Sequence, residues 1–267
     1  MSLCSSPSWC TQSTSINSPA KNARNLSMAK PCLLLAFCSF FFFFFLPCLS
    51  CPAHQKQALL QFKSSILAIT SSLNSSDSQL QSWNSSSSCC RWEEVECNDS
   101  TTSVVISLDL IGLFTDLSPQ PRVQSTILAP IFHIRSLEWL HISDNNIQGE
   151  IPAVGFANLS NLVGLYMSGN NFSGSIPPQL FHLPFLQYLS LDGNSLSGEV
   201  PEEFGNLTSL QVLSLSGNKF SDGMLLSVLS LKGLQELDLS DNDLSMKIPR
   251  EIGNLLNIST LALSNNR

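Results

Sequence analysis

The side chains of this 267-residue chain that could carry chemistry are nine cysteines and four histidines. Five of the cysteines precede residue 50, and the other four are Cys51, Cys89, Cys90 and Cys97. Four cysteines allow three pairings, and a bridge between adjacent cysteines would be strained. Two pairings therefore stay open: Cys51–Cys89 with Cys90–Cys97, or the crossed alternative. A zinc site would need CxxC spacing or a nearby histidine pair, which this cluster lacks, so we predict disulfides and no metal ion or other cofactor.

The histidines do not complete a catalytic motif. They are His54, His133, His141 and His182, and none shares a motif with a nucleophile or a metal-ligand pair. Only His141 is expected on an open strand face, beside Trp139. We therefore predict no catalytic residue, and a protein that is not an enzyme.

The start of the chain predicts export. Residues 32–49 are an apolar run with six consecutive phenylalanines; Lys30 precedes the run and the small residue Ser50 follows it. This order of basic, apolar and small residues is typical of a secretory signal, here cleaved near Ser50.

Met28 provides a start for this leader, so we assign residues 28–50 to it and residues 1–27 to a disordered upstream extension. The apolar run is also long enough to act as an uncleaved membrane anchor. Positive charge flanks the run only on its N-terminal side, so both interpretations place the rest of the chain outside the cytosol, where disulfides form.

The charge balance argues against a nucleic-acid partner. The three basic residues before Cys51 are Lys21, Arg24 and Lys30, and no acidic residue precedes it. The remaining chain therefore has 10 basic and 20 acidic side chains. Binding to phosphates needs a basic face, which this composition does not provide.

An internal repeat runs from Leu137 to the end of the chain. Each unit has the pattern LxxLxLxxN, with other aliphatic residues replacing some leucines. The alternation in the middle predicts a short strand, and an aliphatic–proline pair such as Ile176-Pro177 ends most of the turns that follow. The closing asparagines, here called ladder asparagines, are spaced by 25, 24, 24, 24 and 24 residues and are Asn145, Asn170, Asn194, Asn218, Asn242 and Asn266.

One such unit cannot bury its apolar strand residues alone. The units must therefore stack with parallel strands and a continuous leucine core, which predicts an α/β solenoid. We expect each ladder asparagine to bond backbone groups in the next coil that would otherwise be buried without a partner.

The strand residues that point away from the core are the candidates for binding. Aromatic side chains gather at the N-terminal end of this face, and carboxylates gather towards the other end. Exposed aromatic side chains offer a large contact area at little entropic cost, although isolated ones are also common without a function. The acidic end also fits a solvated surface. The candidate ligand-binding residues are Trp139, His141, Tyr166, Tyr188, Asp192, Glu236 and Asp238.

Seven N-glycosylation sequons follow the leader, and none has proline in the middle. In an exported chain, this number predicts a glycoprotein. The acceptor residues are Asn74, Asn84, Asn98, Asn158, Asn171, Asn206 and Asn257.

The segment ahead of the repeats predicts a cap. A solenoid exposes its first core layer unless another element covers it. Apolar residues at helical spacing and all four cysteines of the main body lie in residues 51–100, so we predict a disulfide-stapled helical cap there. Residues 101–136 are an irregular first repeat with Leu113 in the asparagine position, and residues 137–267 are the repeats, of which the last is truncated.

These motifs resemble those of a known family. Cys51, then ALLQFK at residues 58–63, Ser82-Trp83 and CCRW at residues 89–92 are similar to the N-terminal cap of plant leucine-rich-repeat proteins. NNFSGSIP and NSLSGEVP, which begin at Asn170 and Asn194, resemble the plant-specific extracellular repeat. The combination covers about residues 51–267 and resembles plant receptor-like proteins, which have this ectodomain without a kinase.

The resemblance implies the pairing Cys51–Cys89 with Cys90–Cys97 and a right-handed solenoid with a concave parallel sheet. It also implies recognition of an extracellular peptide or protein in defence or development, with a receptor kinase as co-receptor and no catalysis. The expected location is the extracellular side of the plasma membrane or the apoplast. Membrane attachment would come only through the leader or a C-terminal span. The alternative is a freestanding secreted binder similar to plant polygalacturonase-inhibiting proteins.

The sequence departs from the family pattern in two repeats. Asp222 and Met246 stand where glycine is usual, and Met224-Leu225 replaces an aliphatic–proline pair. The chain also stops at Arg267, in the middle of a repeat. We therefore expect the N-terminal part of a receptor-like protein, either as a truncated gene model or as a short secreted product.

Overall fold

The structure is a computed structural model, and it describes most of the chain after residue 50. The described residues are 51–71, 80–99, 103–115, 117–118, 120–198, 202–221, 223–245 and 247–267. The predicted extension and leader (residues 1–50), the sequon at Asn74 and the departures at Asp222 and Met246 lie outside these ranges. Within them, no helix combines the length and the apolar character needed to cross a bilayer.

Short strands alternate with helical turns throughout the described residues. The helices are α1 (Ala53–Thr70), α2 (Ala153–Phe156) and α3 (Gly223–Val228). The strands are β1 (Val95–Cys97), β2 (Val105–Asp109), β3 (Val123–Gln124), β4 (Trp139–His141), β5 (Ile147–Glu150), β6 (Gly164–Tyr166), β7 (Asn171–Gly174), β8 (Tyr188–Ser190), β9 (Ser195–Gly198), β10 (Val212–Ser214), β11 (Lys219–Phe220), β12 (Glu236–Asp238) and β13 (Thr260–Ala262). The 3₁₀ turns are Cys89–Arg91, Ser125–Leu128, Ile131–His133, Pro178–His182, Glu202–Asn206 and Arg250–Asn254.

The strands of the repeat pattern form one eight-stranded sheet, in the order β1-β2-β4-β6-β8-β10-β12-β13. Its strands pair in parallel, except that β1 is antiparallel to β2. A leucine in each strand from β2 to β12 lies level with the leucine of the next strand and is 0% exposed: Leu108, Leu140, Leu165, Leu189, Leu213 and Leu237. Burial of such a side chain contributes about 1.5–3 kcal/mol, so this row is the centre of a continuous core. The predicted solenoid of parallel strands is confirmed.

The ladder asparagines connect adjacent coils. The Asn194 amide nitrogen donates to the carbonyls of Leu191 and Asp192 in its own turn, at 3.0 and 3.2 Å, and to the Met167 carbonyl at 3.0 Å. Its amide oxygen accepts from the Phe172 N–H at 3.0 Å. Met167 and Phe172 belong to the preceding coil, so the expectation of bonds to the next coil was wrong in direction. The other five ladder asparagines bond the equivalent groups of their own turn and of the preceding coil.

The irregular first coil joins this ladder without an asparagine of its own. Leu113 stands in the asparagine position, and its N–H donates to the Asn145 amide oxygen at 2.7 Å. Because each asparagine serves the coil before it, the first coil needs only a backbone donor. The ladder therefore begins at Asn145.

A second sheet has the strand order β11-β9-β7-β5-β3. Its strands come later in each coil than the strands of the first sheet. The sequence predicted only turns at these places. Each strand contributes a single fully buried side chain, such as Phe172, Leu196 or Phe220, and one residue is too short a signal for a period of two. In the coil where Met224-Leu225 replaces the aliphatic–proline pair, α3 takes the place of the 3₁₀ turn found in the coils on either side.

The N-terminal segment covers the first coil with α1. Phe62, Leu59 and Ile66 on this helix are at most 2% exposed. Gln55, 3% exposed, accepts from the Val105 N–H at 2.9 Å and donates to Ser136 Oγ at 2.8 Å. The Gln55 side chain therefore provides the hydrogen-bond partner of the first N–H of β2. The sequence did not predict this contact.

Two disulfides cross-link the cap, and the first of them ties its later part to the residues just ahead of α1. They join Cys51 to Cys89 and Cys90 to Cys97, each with 5.4 Å between Cα atoms. The rings of Trp83 and Trp92 stack in the same segment, with centroids 5.4 Å apart.

We predict that the two disulfides stabilise the cap unequally. They close loops with sequence separations of 38 and 7 residues. Loop-closure entropy predicts a loss of about 4 kcal/mol for the Cys51→Ser/Cys89→Ser variant and about 2.5 kcal/mol for Cys90→Ser/Cys97→Ser. Chemical denaturation would measure both, followed by tryptophan fluorescence in a Trp139→Phe background, so that Trp83 and Trp92 of the cap give the signal. Equal losses, or a larger loss for the short loop, would contradict the entropic account.

Candidate functional site

The register of the eight-stranded sheet places the candidate residues in rows on its solvent-facing side, here called the open face. Trp139 on β4 pairs with Gly164 on β6, which pairs with Tyr188 on β8. In the neighbouring row, His141 pairs with Tyr166. The leucine between these rows points into the core, so the flanking side chains point away from it.

Gly164 allows the Trp139 ring to lie across β6. A Cβ atom at Gly164 would lie 2.4 Å from Trp139 Cε3, closer than van der Waals contact permits. The glycine therefore provides a flat surface on which the indole rests between its own strand and β8. A larger side chain here would lift the ring from the sheet.

The four rings form one group, here called the aromatic cluster: Trp139, His141, Tyr166 and Tyr188. The Trp139 centroid lies 6.4 Å from that of Tyr166, with the planes 13° apart, and 5.5 Å from that of Tyr188. The His141 ring lies 4.2 Å from Tyr166. All four side chains are partly exposed, so the cluster is an apolar surface that a ligand can reach.

The cluster raises the pKa of Tyr166 above its ordinary value. The larger cause is burial, which disfavours the phenolate, and the smaller is repulsion from the neighbouring Tyr188 phenolate. Tyr166 therefore stays a neutral phenol, able to donate a hydrogen bond, to higher pH than a free tyrosine.

Asp192 lies beside the cluster but is engaged by serines. Its carboxylate accepts from Ser190 Oγ at 2.7 Å, from Ser168 Oγ at 3.3 Å and from the Ser216 N–H at 3.0 Å. Ser214 Oγ donates to it as well. The carboxylate is thus largely satisfied within its own face, and the surface that it organises is one of serine hydroxyls.

Glu236 and Asp238 lie apart from the aromatic cluster. Both are on β12, two strands beyond β8, which is about 10 Å at the ordinary spacing of strands. Glu236 is exposed, whereas Asp238 accepts from the Ser240 N–H at 2.9 Å. The structure therefore brings together four of the seven candidate residues, with Asp192 beside them, and leaves Glu236 and Asp238 in a separate part of the face.

The cysteines and histidines form no metal centre within the described part of the chain. The sulfur atoms of Cys51, Cys89 and Cys90 lie within 4.8 Å of one another, but all three belong to disulfides, so no thiolate is free to bind a metal. The His141 ring packs against the Tyr166 ring, and His182 Nδ1 lies 3.0 Å from the Pro178 carbonyl oxygen.

Most of the predicted glycan acceptors are on the surface. Asn84, Asn158, Asn171, Asn206 and Asn257 are exposed, while Asn98 is half-buried. Asn84 also holds its own loop, because its amide oxygen accepts from the backbone of Ser86 and Ser87.

Sequence reasoning missed the role of Gly164. The signal that could have identified it is a glycine in a strand, in register between two aromatic residues, since an interior strand glycine often marks a close approach of another group. The sequence predicted the row Trp139, Gly164 and Tyr188. It did not predict that the Trp139 ring lies over the neighbouring strand.

Family models match several parts of the chain. A leucine rich repeat N-terminal domain matches residues 52–98, and leucine rich repeats match residues 136–159, 170–220 and 233–255. Together these matches cover more than half of the chain.

Individual proteins with similar sequences or structures come from plants. Receptor-like protein 46 of Arabidopsis thaliana is 42% identical over 159 residues, which are 58% of this chain and 19% of that protein. The chain thus spans about a fifth of that relative's length. The Arabidopsis receptor kinase HAESA, in complex with the peptide hormone IDA and the co-receptor SERK1, has a TM-score of 0.67 and 33% identity over 79% of this chain and 33% of its own. A plant ice-binding protein has a TM-score of 0.58 and 29% identity, over 81% of this chain and 72% of its own.

We predict that Gly164→Ala exposes the indole of Trp139. The new methyl group would occupy the place of the ring, so the ring must leave the sheet. Acrylamide quenching of tryptophan fluorescence should increase, because Trp83 and Trp92 are at most 3% exposed and contribute little to the change. Gly253→Ala is the control, since a Cβ atom there would meet nothing within 4 Å. Equal quenching of both variants would show that Gly164 does not seat the ring.

We predict that Tyr188→Phe lowers the pKa of Tyr166 while leaving it above 10.0, its ordinary value, because burial remains. The chain has two tyrosines, so this variant leaves one phenol to titrate by ultraviolet absorbance. The raised pKa also implies that the contribution of Tyr166 to folding stability is present below the unfolded pKa and is lost as pH rises through the folded pKa. Titration of Tyr166 at the same or a higher pH in the variant would contradict the proposed repulsion.

Proposed function

We propose that this chain, a member of the leucine-rich-repeat family, recognises an extracellular ligand with the open face of its eight-stranded sheet. The chain is homologous to the ectodomains of plant receptor-like proteins. The observation that carries this proposal is the aromatic cluster, in which three large rings and an imidazole converge on one accessible surface. Rigid aromatic side chains dominate the binding energy of many interfaces because they bury a large area and lose little entropy.

The serine surface around Asp192 gives this face a second kind of contact. The hydroxyl protons of Ser190 and Ser214 are donated to Asp192, so their oxygens remain available to accept from the backbone N–H groups of an extended chain. An extended peptide lying across the strands would place apolar side chains on the aromatic cluster and its backbone over Ser190 and Ser214. This chain is similar to HAESA, and HAESA binds a peptide hormone. That similarity supports a peptide or protein as the ligand here.

The partner and the location are part of the same proposal. The co-receptor present with HAESA supports a receptor kinase as the signalling partner of this chain as well. We place the chain in the secretory pathway and then at the extracellular side of the plasma membrane or in the apoplast. The two disulfides of the cap support this location, because they are stable in an oxidising compartment.

We assign binding alone to the chain, without catalysis. On the open face, the one histidine is His141, whose ring lies against Tyr166, and Asp192 is engaged by serines. Asp192 lies within hydrogen-bond reach of serine hydroxyls, but several serines and a backbone N–H share its carboxylate, which suits a structural role better than activation of one nucleophile.

The test uses a displayed library of random linear peptides, selected on the secreted chain. We expect Trp139→Ala to weaken binding of the enriched peptides by at least about tenfold, the effect of losing a binding hot spot. The matched control is Phe185→Ala, which removes an aromatic side chain that is 55% exposed but lies outside the strands of the open face. Titration calorimetry with individual peptides would measure both variants.

Two results would count against the proposal. Enriched peptides that bind wild type and Trp139→Ala equally would place recognition elsewhere on the molecule. A selection that enriches no peptide on the wild-type chain, under conditions in which a peptide-binding control succeeds, would exclude a linear peptide as the ligand.

A further inference from the structure

A groove of about 450 Å³ lies outside the open face, between the turn that contains Phe132 and helix α2. Its floor is apolar, because the Phe132 ring packs directly on the backbone of Gly155: a Cβ atom there would lie 2.1 Å from Phe132 Cδ2. Val154 on its wall is 80% exposed. An apolar groove that is open to water favours association with other surfaces, so a group that covers the groove would be stabilised there.

The groove contains its own attachment point for a cover. Asn158 lines it, is exposed, and begins the sequon Asn158-Leu159-Ser160, whose serine is exposed too. We infer that an N-glycan on Asn158 folds back and packs its first N-acetylglucosamine residues into this groove. This inference rests on the entry into the secretory pathway proposed above.

The chemistry of the two surfaces is complementary. An N-acetylglucosamine has an acetyl methyl group and an apolar ring face, which match the exposed apolar side chains of the groove, Ala129 and Val154. Thr126 and His133 lie at the groove and can bond the sugar hydroxyls. The volume is within the roughly 300–1,000 Å³ of ordinary small-ligand clefts. Attachment at Asn158 keeps the sugar close at hand, so its packing requires little loss of translational freedom.

A second sequon provides a matched comparison two coils further along. Leu165 pairs with Leu189, which pairs with Leu213, so an offset of 48 residues relates the two coils. Asn206 is then the counterpart of Asn158, and the counterparts of Val154 and Gly155 are Glu202 and Glu203. Acidic residues in place of the groove wall and floor offer no apolar surface, so a glycan on Asn206 is expected to extend into solvent.

The test measures how fast an endoglycosidase releases each glycan from the folded, secreted full-length chain. Glycopeptide mass spectrometry would follow Asn158 and Asn206 in the same sample. We expect release at Asn158 to be slower by about tenfold, the effect of roughly 1.4 kcal/mol of packing. Val154→Glu, which copies the acidic residue of the other coil, should abolish this difference while leaving occupancy unchanged.

A second readout is the exposure of the groove itself. Asn158→Gln should increase the binding of an apolar fluorescent dye, whereas Asn206→Gln should not. Equal release rates at the two sites in wild type would overturn the packing, and an unoccupied Asn158 beside an occupied Asn206 would overturn the modification. If both sites are unoccupied in the secreted chain, glycan covering of the groove is excluded, while the peptide selection still tests ligand recognition on the open face.

Discussion

The need to satisfy backbone groups where each coil leaves its strand is the constraint on which this structure depends. One asparagine per coil meets it, by donating to carbonyls of its own turn and of the preceding coil and by accepting a backbone N–H. Because a buried amide without a partner costs about 1–3 kcal/mol, the position tolerates little change. The spacing of the asparagines therefore sets the length of each coil, and the coil length sets the register of the sheet.

In that register, the side chains of the open face neither fill the core nor join the coils. The leucines fill the core and the asparagines join the coils, so the side chains on either side of each central leucine are not needed by the fold. Their identities accordingly vary from Trp139 through Val212 to Glu236 along a single row. A regular scaffold thus presents an irregular surface, and binding specificity can change there without loss of the solenoid.

The sequence predicted the parts of the fold that repeat. The leucine and asparagine positions follow from a period visible along the chain, and so do the parallel strands and the need for a cap. The second sheet, the bonds from Gln55 to the first coil and the seat at Gly164 were not predicted, because each depends on contacts between distant residues. For the same reason, Asp192 looked like an available charge in the sequence, whereas serines from neighbouring coils satisfy it in the structure.

The two surfaces to which we assign roles share one origin. Between Asn145 and Asn170 the spacing is 25 residues instead of 24, and this coil has glycine at two positions where the following coils have side chains. Gly155 corresponds to Gln179 and Glu203, and Gly164 corresponds to Tyr188 and Val212. In both places a ring of the preceding coil, Phe132 or Trp139, rests on the exposed backbone. A glycine inside a helix or strand ordinarily weakens it, and here Gly155 in α2 and Gly164 in β6 each make room for an aromatic ring. Both proposed sites therefore lie where this coil departs from the repeat, because the missing side chain leaves space for a ring of the preceding coil.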